Sequence, residues 1–245
     1  MCGRYVSARK KQELLEEFQV ELDGAADEEL RPDYNVAPTK KVYAVLARPV
    51  KAADGAADGP PVRQLRVLRW GLVPSWAKDP SIGSRMINAR VETVAEKPSF
   101  RQAFARRRCL LPADGYYEWQ ADGSGRGGRK RPFFIRPADG GVMAMAGLYE
   151  FWRDRARPAD DPEAWLVTCT VITTAAEHEP ARIHDRMPMI VPRERWADWL
   201  DPDLTVAEEA RRLLAPAPPG TFALHPVSDL VNSVRNNGPE LIRPV

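Results

Sequence analysis

The sequence predicts an α+β fold: a single domain over residues 1–245, with a mixed, mostly antiparallel β-sheet or barrel-like core and flanking helices. Three observations lead there. Strand-like runs outnumber helical ones, and they do not alternate with long helices as a doubly wound parallel sheet requires. There are 23 prolines among the 245 residues, against a usual share of ~5%, and they cut the chain into short elements. Hydrophobic residues make up 44% of the chain, enough to fill a sizeable core.

The first element is a helix over 7–20, with Ser7 as its cap and Leu14, Leu15 and Phe18 recurring on one face. Strand-like runs follow at 42–47 and 64–70. Between them KAADGAADGPP (51–61) offers too little apolar surface to offset the entropy of ordering, so it reads as a surface loop. A second helix begins at Pro98 or Ser99, where Ser99 and Gln102 match a capping box and Phe100, Ala103 and Phe104 line one side. Further strands lie at 132–135, 142–149 and 165–174, the last dense in β-branched residues. Two more loops, ADGSGRGGRKR (121–131) and RDRARPADDPE (153–163), separate them. A third helix covers 194–200, and a fourth starts at Thr205 with Glu208 as its capping partner.

No run approaches the ~18 apolar residues of a membrane helix, and MCGRYVSARKKQ lacks the apolar stretch of a secretory signal. Cys2, Cys109 and Cys169 are an odd set without a CxxC pair, which argues against a disulfide framework and against zinc. The expectation is a cytoplasmic protein, nucleoid-associated if bacterial, with no metal, no cofactor and no membrane partner. The formal net charge is only +2, but seven basic residues face two glutamates between Arg85 and Arg108. Such a local excess can bind a polyanion, although a solvated basic face is the commoner reading.

Cys2 is the position with the most distinctive chemistry. Once Met1 is removed, Cys2 carries an α-amine of pKa ~7.7–8.0 and a thiol of ~8.5 on adjacent carbons, whereas a lysine amine sits at ~10.4. A 1,2-aminothiol condenses with an aldehyde to an imine, and the sulfur then closes a five-membered thiazolidine ring. Taken alone, Cys2 is more simply read as a small residue behind a start codon.

The remaining segments change that balance. MCGRY is followed by RPDYNVAPTK (31–40), RWGLVPSWAKDP (69–80), MINARVET (86–93), CLLPADGYYEW (109–119) and IHDRMPMIV (183–191). In this order they resemble the SOS-response-associated peptidase (SRAP) family, whose members process abasic sites in single-stranded DNA. The resemblance covers about 2–191, and the C-terminal part is expected to complete the domain. It implies the family's fold, autocatalytic loss of Met1, and Cys2 as the residue linked covalently to the opened sugar. It also implies that Asn88 holds the reacting end of the cysteine, that Glu118 moves protons and that His184 stands at the sugar. Arg4, Arg90 and Arg186 then look like phosphate contacts, and Pro38, Trp70 and Trp76 like surfaces for bases or sugar. The implied partner is single-stranded DNA containing abasic sites.

The residues lend these roles independent support. An abasic deoxyribose is mostly a closed hemiacetal, so opening it and forming an imine need both an acid and a base. On a strand, Tyr116 and Glu118 share one face and Tyr117 and Trp119 the other, and a carboxyl among aromatic rings has a raised pKa. His184 is favoured over His178, in an exposed AAEHEP turn, and over His225, which lacks polar companions. Cys109 and Cys169 lie in apolar runs and read as buried, inert thiols. Aromatic faces near arginines suit single strands, although Trp76 equally suits a core. Two other functions stay open: an N-terminal-nucleophile cysteine amidohydrolase or peptidase, and a non-catalytic single-stranded DNA-binding module.

Overall fold

The computed structural model describes residues 2–51, 57–121, 128, 130–158 and 160–245. In chain order the strands are β1 (Tyr5–Ser7), β2 (Leu22–Asp23), β3 (Asp33–Val36), β4 (Lys41–Lys51), β5 (Ala57–Trp70), β6 (Asn88–Arg90) and β7 (Arg108–Ala113). They continue with β8 (Gly115–Ala121), β9 (Lys130–Pro137), β10 (Met143–Arg153), β11 (Trp165–Ala175), β12 (Arg186–Pro188) and β13 (Phe222–Pro226). The helices are short: α1 (Lys11–Glu17), α2 (Arg101–Arg106), α3 (Trp196–Leu200) and α4 (Ala207–Arg212).

Five strands close a barrel. β11, β10, β7, β4 and β5 are antiparallel neighbours in that order, and β5 then returns to β11 in parallel through Arg69↔Thr168 and Trp70↔Cys169. A ring with an odd number of strands cannot alternate direction all the way round, so a parallel join is unavoidable. Strand alternation sorts the side chains. Val42, Ala44, Leu46, Leu68, Trp70, Leu111, Tyr149 and Val171 fill the interior. Tyr43, Val45, Leu110 and Ile172 face outward, where Leu14, Phe18, Phe104, Trp196 and Trp199 cover them. α1, α2 and α3 thus form only because the barrel wall offers their apolar faces a partner.

A second, antiparallel sheet runs β13-β9-β8-β1-β3. Tyr5, Tyr116, Ile135 and Phe222 on one face join the barrel's interior cluster and cap that end of it. Val6, Tyr117 and Phe134 on the other face pack under Val227 and Val231 of the C-terminal segment. The chain crosses from barrel to sheet at Asp114 and Gly115. The Asp114 carboxylate accepts from the Ala8 amide at 2.7 Å and from Arg9 Nε at 2.9 Å. A side chain at position 115 would put its Cβ 2.6 Å from the Ile135 carbonyl oxygen, so only glycine permits this corner.

The mixed, mostly antiparallel architecture agrees with the sequence expectation, and each predicted strand falls on an observed one, the run at 142–149 starting one residue before β10. The helix starts differ. Ser7 belongs to β1, opposite Asp33, and α1 begins four residues later behind Lys10. Sheet pairing there outweighs the capping preference of serine. α2 starts behind Phe100 with no side-chain cap, because burying Phe100 rather than a Ser99–Gln102 box fixes its entry. α4 starts behind Val206, so Thr205 and Glu208 form no cap either. Of the loop expected over 51–61, Lys51 and 57–61 extend the β4–β5 hairpin, and 52–56 lie outside the described residues. Much of 121–131 likewise lies outside them, with Ala121, Lys130 and Arg131 paired in β8 and β9. Of the loop expected over 153–163, Arg153 ends β10 and Pro162 and Glu163 open a 3-10 turn, while Arg157 holds Asp161 at 3.0 Å and Glu163 at 2.9 Å; residue 159 lies outside the described residues. No helix among the described residues is long and apolar enough to cross a membrane.

Candidate active site

Cys2 is fully buried just ahead of β1, where the sheet caps the barrel. Three separate stretches of chain build the site there, two beside Cys2 and the third against Glu118. The first leaves the barrel after Trp70 and returns as β6, which lies parallel to β11 with Asn88 opposite Val171. The neck of this excursion is pinched: Gly71 has φ +120°, and a Cβ on it would stand 2.6 Å from the Gly83 carbonyl oxygen. The return places Asn88 so that its Nδ2 donates to the Cys2 carbonyl oxygen at 2.9 Å. The Asn88 Oδ1 is buried and has no hydrogen-bond partner among the described residues.

The second stretch is β8, which carries Glu118 opposite Phe133 of β9. The glutamate is 3% exposed. The third leads into β12 and brings His184 up to it, with Nε2 4.0 Å from Glu118 Oε2. The other ring nitrogen, Nδ1, accepts the Arg186 amide proton at 3.0 Å. Asp185 Oδ1 also stands 2.8 Å from Nδ1 and would call for a proton there. The backbone amide is fixed, while the Asp185 side chain is 84% exposed. Nε2 is the ring nitrogen left to face Glu118.

Burial sets the acidities. It pushes the Glu118 carboxyl up, with the facing His184 drawing it back down. It pushes the Cys2 thiol well up, and the negative charge of Glu118 adds to that effect. Burial thus favours the uncharged form of both groups, the Cys2 thiol and the Glu118 carboxyl. Tyr116, two residues before Glu118 on the same face of β8, has a buried hydroxyl with no hydrogen-bond partner among the described residues. Its phenol is pushed up by burial and then by Cys2 and Glu118. The period-two pattern of GYYEW was the signal for it, but gave it no role.

The expected DNA contacts are scattered in character. Trp76 is 56% exposed on the excursion, and Arg90 is exposed at the end of β6. Pro38 is half-buried in a turn. Trp70 is fully buried, donates its indole N–H to the Ile87 carbonyl at 3.0 Å and meets Tyr5 edge-on, so it supports the site from beneath and presents no face to a base. Arg186 holds Glu92 through both terminal nitrogens, at 2.6 and 3.0 Å. Arg4 donates to Asn35 Oδ1 at 2.7 Å and to the Val231 carbonyl at 2.9 Å. Both arginines therefore brace the fold in this structure. Asn35, given no role by sequence, pins the C-terminal segment by donating to the carbonyls of Val231, Ser233 and Asn236.

The basic run at 85–108 is not one surface. Arg108 is buried, donating to the carbonyls of Phe104, Ala105, Trp199 and Asp201, and Arg107 pairs with Glu150. His178 sits in a left-handed turn conformation at φ +54°. His225 does have a polar companion, since its Nε2 lies 2.8 Å from the Ile242 carbonyl oxygen. Cys109 and Cys169 are buried free thiols raised in pKa by burial.

Comparison with known proteins places this geometry in context. The family model described as "SOS response associated peptidase (SRAP)" matches residues 1–234. An abasic site processing protein of Bacillus subtilis, YoqW, is 39% identical over 242 residues and 99% of both chains. The abasic site processing protein YedK of Escherichia coli is 33% identical over the whole of both chains. The abasic site processing protein HMCES of Gallus gallus is 37% identical over 88% of this chain and 67% of its own. A crystal structure of a protein from Bacteroides thetaiotaomicron superposes on all of both chains with a TM-score of 0.81 at 25% identity.

Proposed function

This chain belongs to the SOS response associated peptidase family, and from that premise we propose that it processes abasic sites by linking Cys2 covalently to the opened sugar in single-stranded DNA. What supports the reading is that Asn88 holds the Cys2 carbonyl, that Glu118 lies close enough to act on the Cys2 thiol, and that His184 faces Glu118.

The chemistry begins with loss of Met1, which frees the α-amine. Asn88 anchors the Cys2 carbonyl, and its unpartnered Oδ1 is available to accept a hydrogen bond from that amine. His184 and Glu118 move the proton that opens the hemiacetal to an aldehyde. The amine adds to the aldehyde carbon, and the carbinolamine hydroxyl takes a proton from Glu118 and leaves as water, giving the protonated imine. Glu118 takes the thiol proton as sulfur bonds to the same carbon, and the imine nitrogen keeps its hydrogen as the ring amine. One aldehyde and one aminothiol thus become a thiazolidine and one water. A thiol kept protonated by its surroundings favours this order, amine first and sulfur second. Removal of Met1 by the site itself uses the same groups: with Glu118 as base, water adds to the Met1 carbonyl, and the proton passes to the nitrogen that leaves as the Cys2 amine, releasing free methionine.

Incubation with single-stranded DNA carrying one abasic site tests this. Wild type gives an adduct that survives denaturation, and Cys2→Ala, with Met1 loss verified by mass, gives none. An undiminished adduct from that variant overturns the reading. Release of ammonia from glutamine would favour the amidohydrolase alternative, and salt-sensitive binding without any adduct the non-catalytic one.

A further inference from the structure

The barrel has a second end, away from the sheet. There a cavity of about 480 Å³ opens between Leu46, Arg48, Arg66, Tyr149, Phe151 and Val167. Small-molecule sites of this size commonly occupy barrel mouths. The strand register shows that this is the same lumen seen from its other side. Arg66 pairs with Ala44, Tyr149 with Cys169 and Phe151 with Val167, so all three continue the inward-facing rows. Val167 lies four residues down β11 from Val171, the partner of Asn88, or roughly 13 Å along the strand.

The lining is prepared for a negative charge. Arg66 directs Nε and Nη2 to Gln64 Oε1 at 3.1 and 2.6 Å, and Nη1 to the Gly24 carbonyl at 3.3 Å. Gln64 in turn donates to the Arg48 carbonyl at 2.9 Å. These acceptors are neutral, so the guanidinium is held in place without being neutralised. The Arg48 guanidinium lies over the Phe151 ring at 4.9 Å and has no hydrogen bond or ion pair among the described residues. Tyr149 is 3% exposed, lines the cavity, and its hydroxyl has no hydrogen-bond partner among the described residues. Of the two acids at the rim, Glu28 is paired with Lys41 at 2.6 Å and Asp27 is exposed. Apolar walls from Leu46, Leu68 and Val167 and two aromatic rings complete the mouth.

We propose that this barrel mouth binds a small phosphomonoester with a planar aromatic body, its phosphoryl group held by Arg48, Arg66 and the Tyr149 hydroxyl and its ring against Phe151. Two uncompensated guanidinium groups and a hydroxyl match phosphoryl oxygens, while the aromatic floor favours a ring over a bare ion. The site is separate from Cys2 and stands whether or not the crosslinking chemistry holds.

Titration calorimetry of the full chain with phenyl phosphate tests it. The expected result is one saturable site, with inorganic phosphate and phenol each weaker by roughly tenfold or more. Arg48→Met weakens phenyl phosphate by about tenfold, and Tyr149→Phe by about threefold, while adduct yield on abasic DNA is unchanged in both. Tyr149→Phe removes a single oxygen and keeps the packing, so it reads the site even if Arg48→Met disturbs the barrel. Absence of saturable binding, unchanged affinity in Tyr149→Phe, equal affinity for inorganic phosphate, or displacement of phenyl phosphate by abasic single-stranded DNA overturns the proposal.

Discussion

Glu118 shows how a single residue ties chemistry to stability. Its carboxyl is raised above the ordinary value, chiefly by burial, whereas in the unfolded chain it returns to ~4.3. The folded chain therefore holds that proton more tightly. This contribution is present in full below the unfolded value and is lost as pH rises through the folded one. Glu118→Gln removes the liability, so at neutral pH the variant melts at a higher temperature than wild type, and the gap closes as pH falls towards ~4. Melting curves across that range check it, and a variant less stable at neutral pH would mean that the charge is fully compensated by its neighbours. The same substitution takes away the acid–base group, and adduct formation should slow by ~10²–10⁴-fold. A gain in stability with a loss of rate is the mark of a group kept for function.

At the scale of elements, what the sequence disclosed depended on how local the determining contacts are. The strands at 42–47, 64–70 and 165–174 were legible because alternation and β-branching are properties of the strand itself. So was the face shared by Tyr116 and Glu118. The helix starts were not, since Ser7 pairs with Asp33 across a sheet and Phe100 answers to a core assembled from distant segments. Arg4 and Trp70 fit their motifs equally well as DNA contacts and as braces, and only burial and partners separate the two uses. Asn35 was silent for the same reason, because its acceptors lie about two hundred residues away. Asn35→Ala should cost about 1–3 kcal/mol, the penalty for carbonyls and a guanidinium left without partners, and should raise amide exchange across 231–236. Denaturant melts with site-resolved exchange test this. A loss of stability with no local change would mean that the tail is held by its apolar contacts alone. The excursion offers a parallel case: Gly71→Ala forces a Cβ against the Gly83 carbonyl oxygen at a backbone angle that alanine avoids. It should shift Asn88 and lower adduct yield although residue 71 touches nothing reactive.

Across the whole molecule, the barrel's strength is unevenly distributed. The β4–β5 hairpin pairs along eleven positions, and β10 pairs with β11 over seven and with β7 over six. The two ribbons so formed meet through one paired position between β4 and β7 and two between β5 and β11. The parallel seam that an odd ring requires is thus also one of the two thin joins, and it leads directly into the Gly71 neck and Asn88. Sub-global opening follows the joins with least pairing and burial, so the ribbons should part before either melts. Native-state hydrogen exchange under increasing denaturant reads this directly. The Gly71 amide, bonded to the Cys169 carbonyl at 2.8 Å across the seam, should exchange through a smaller opening than the amides shared by β10 and β11. Lining both the seam and the lumen, Trp70 should report the same opening by fluorescence. If the Gly71 amide instead exchanged only with global unfolding, barrel and excursion would be one cooperative unit. Asn88 would then be held by the full stability of the fold rather than by a hinge beside it.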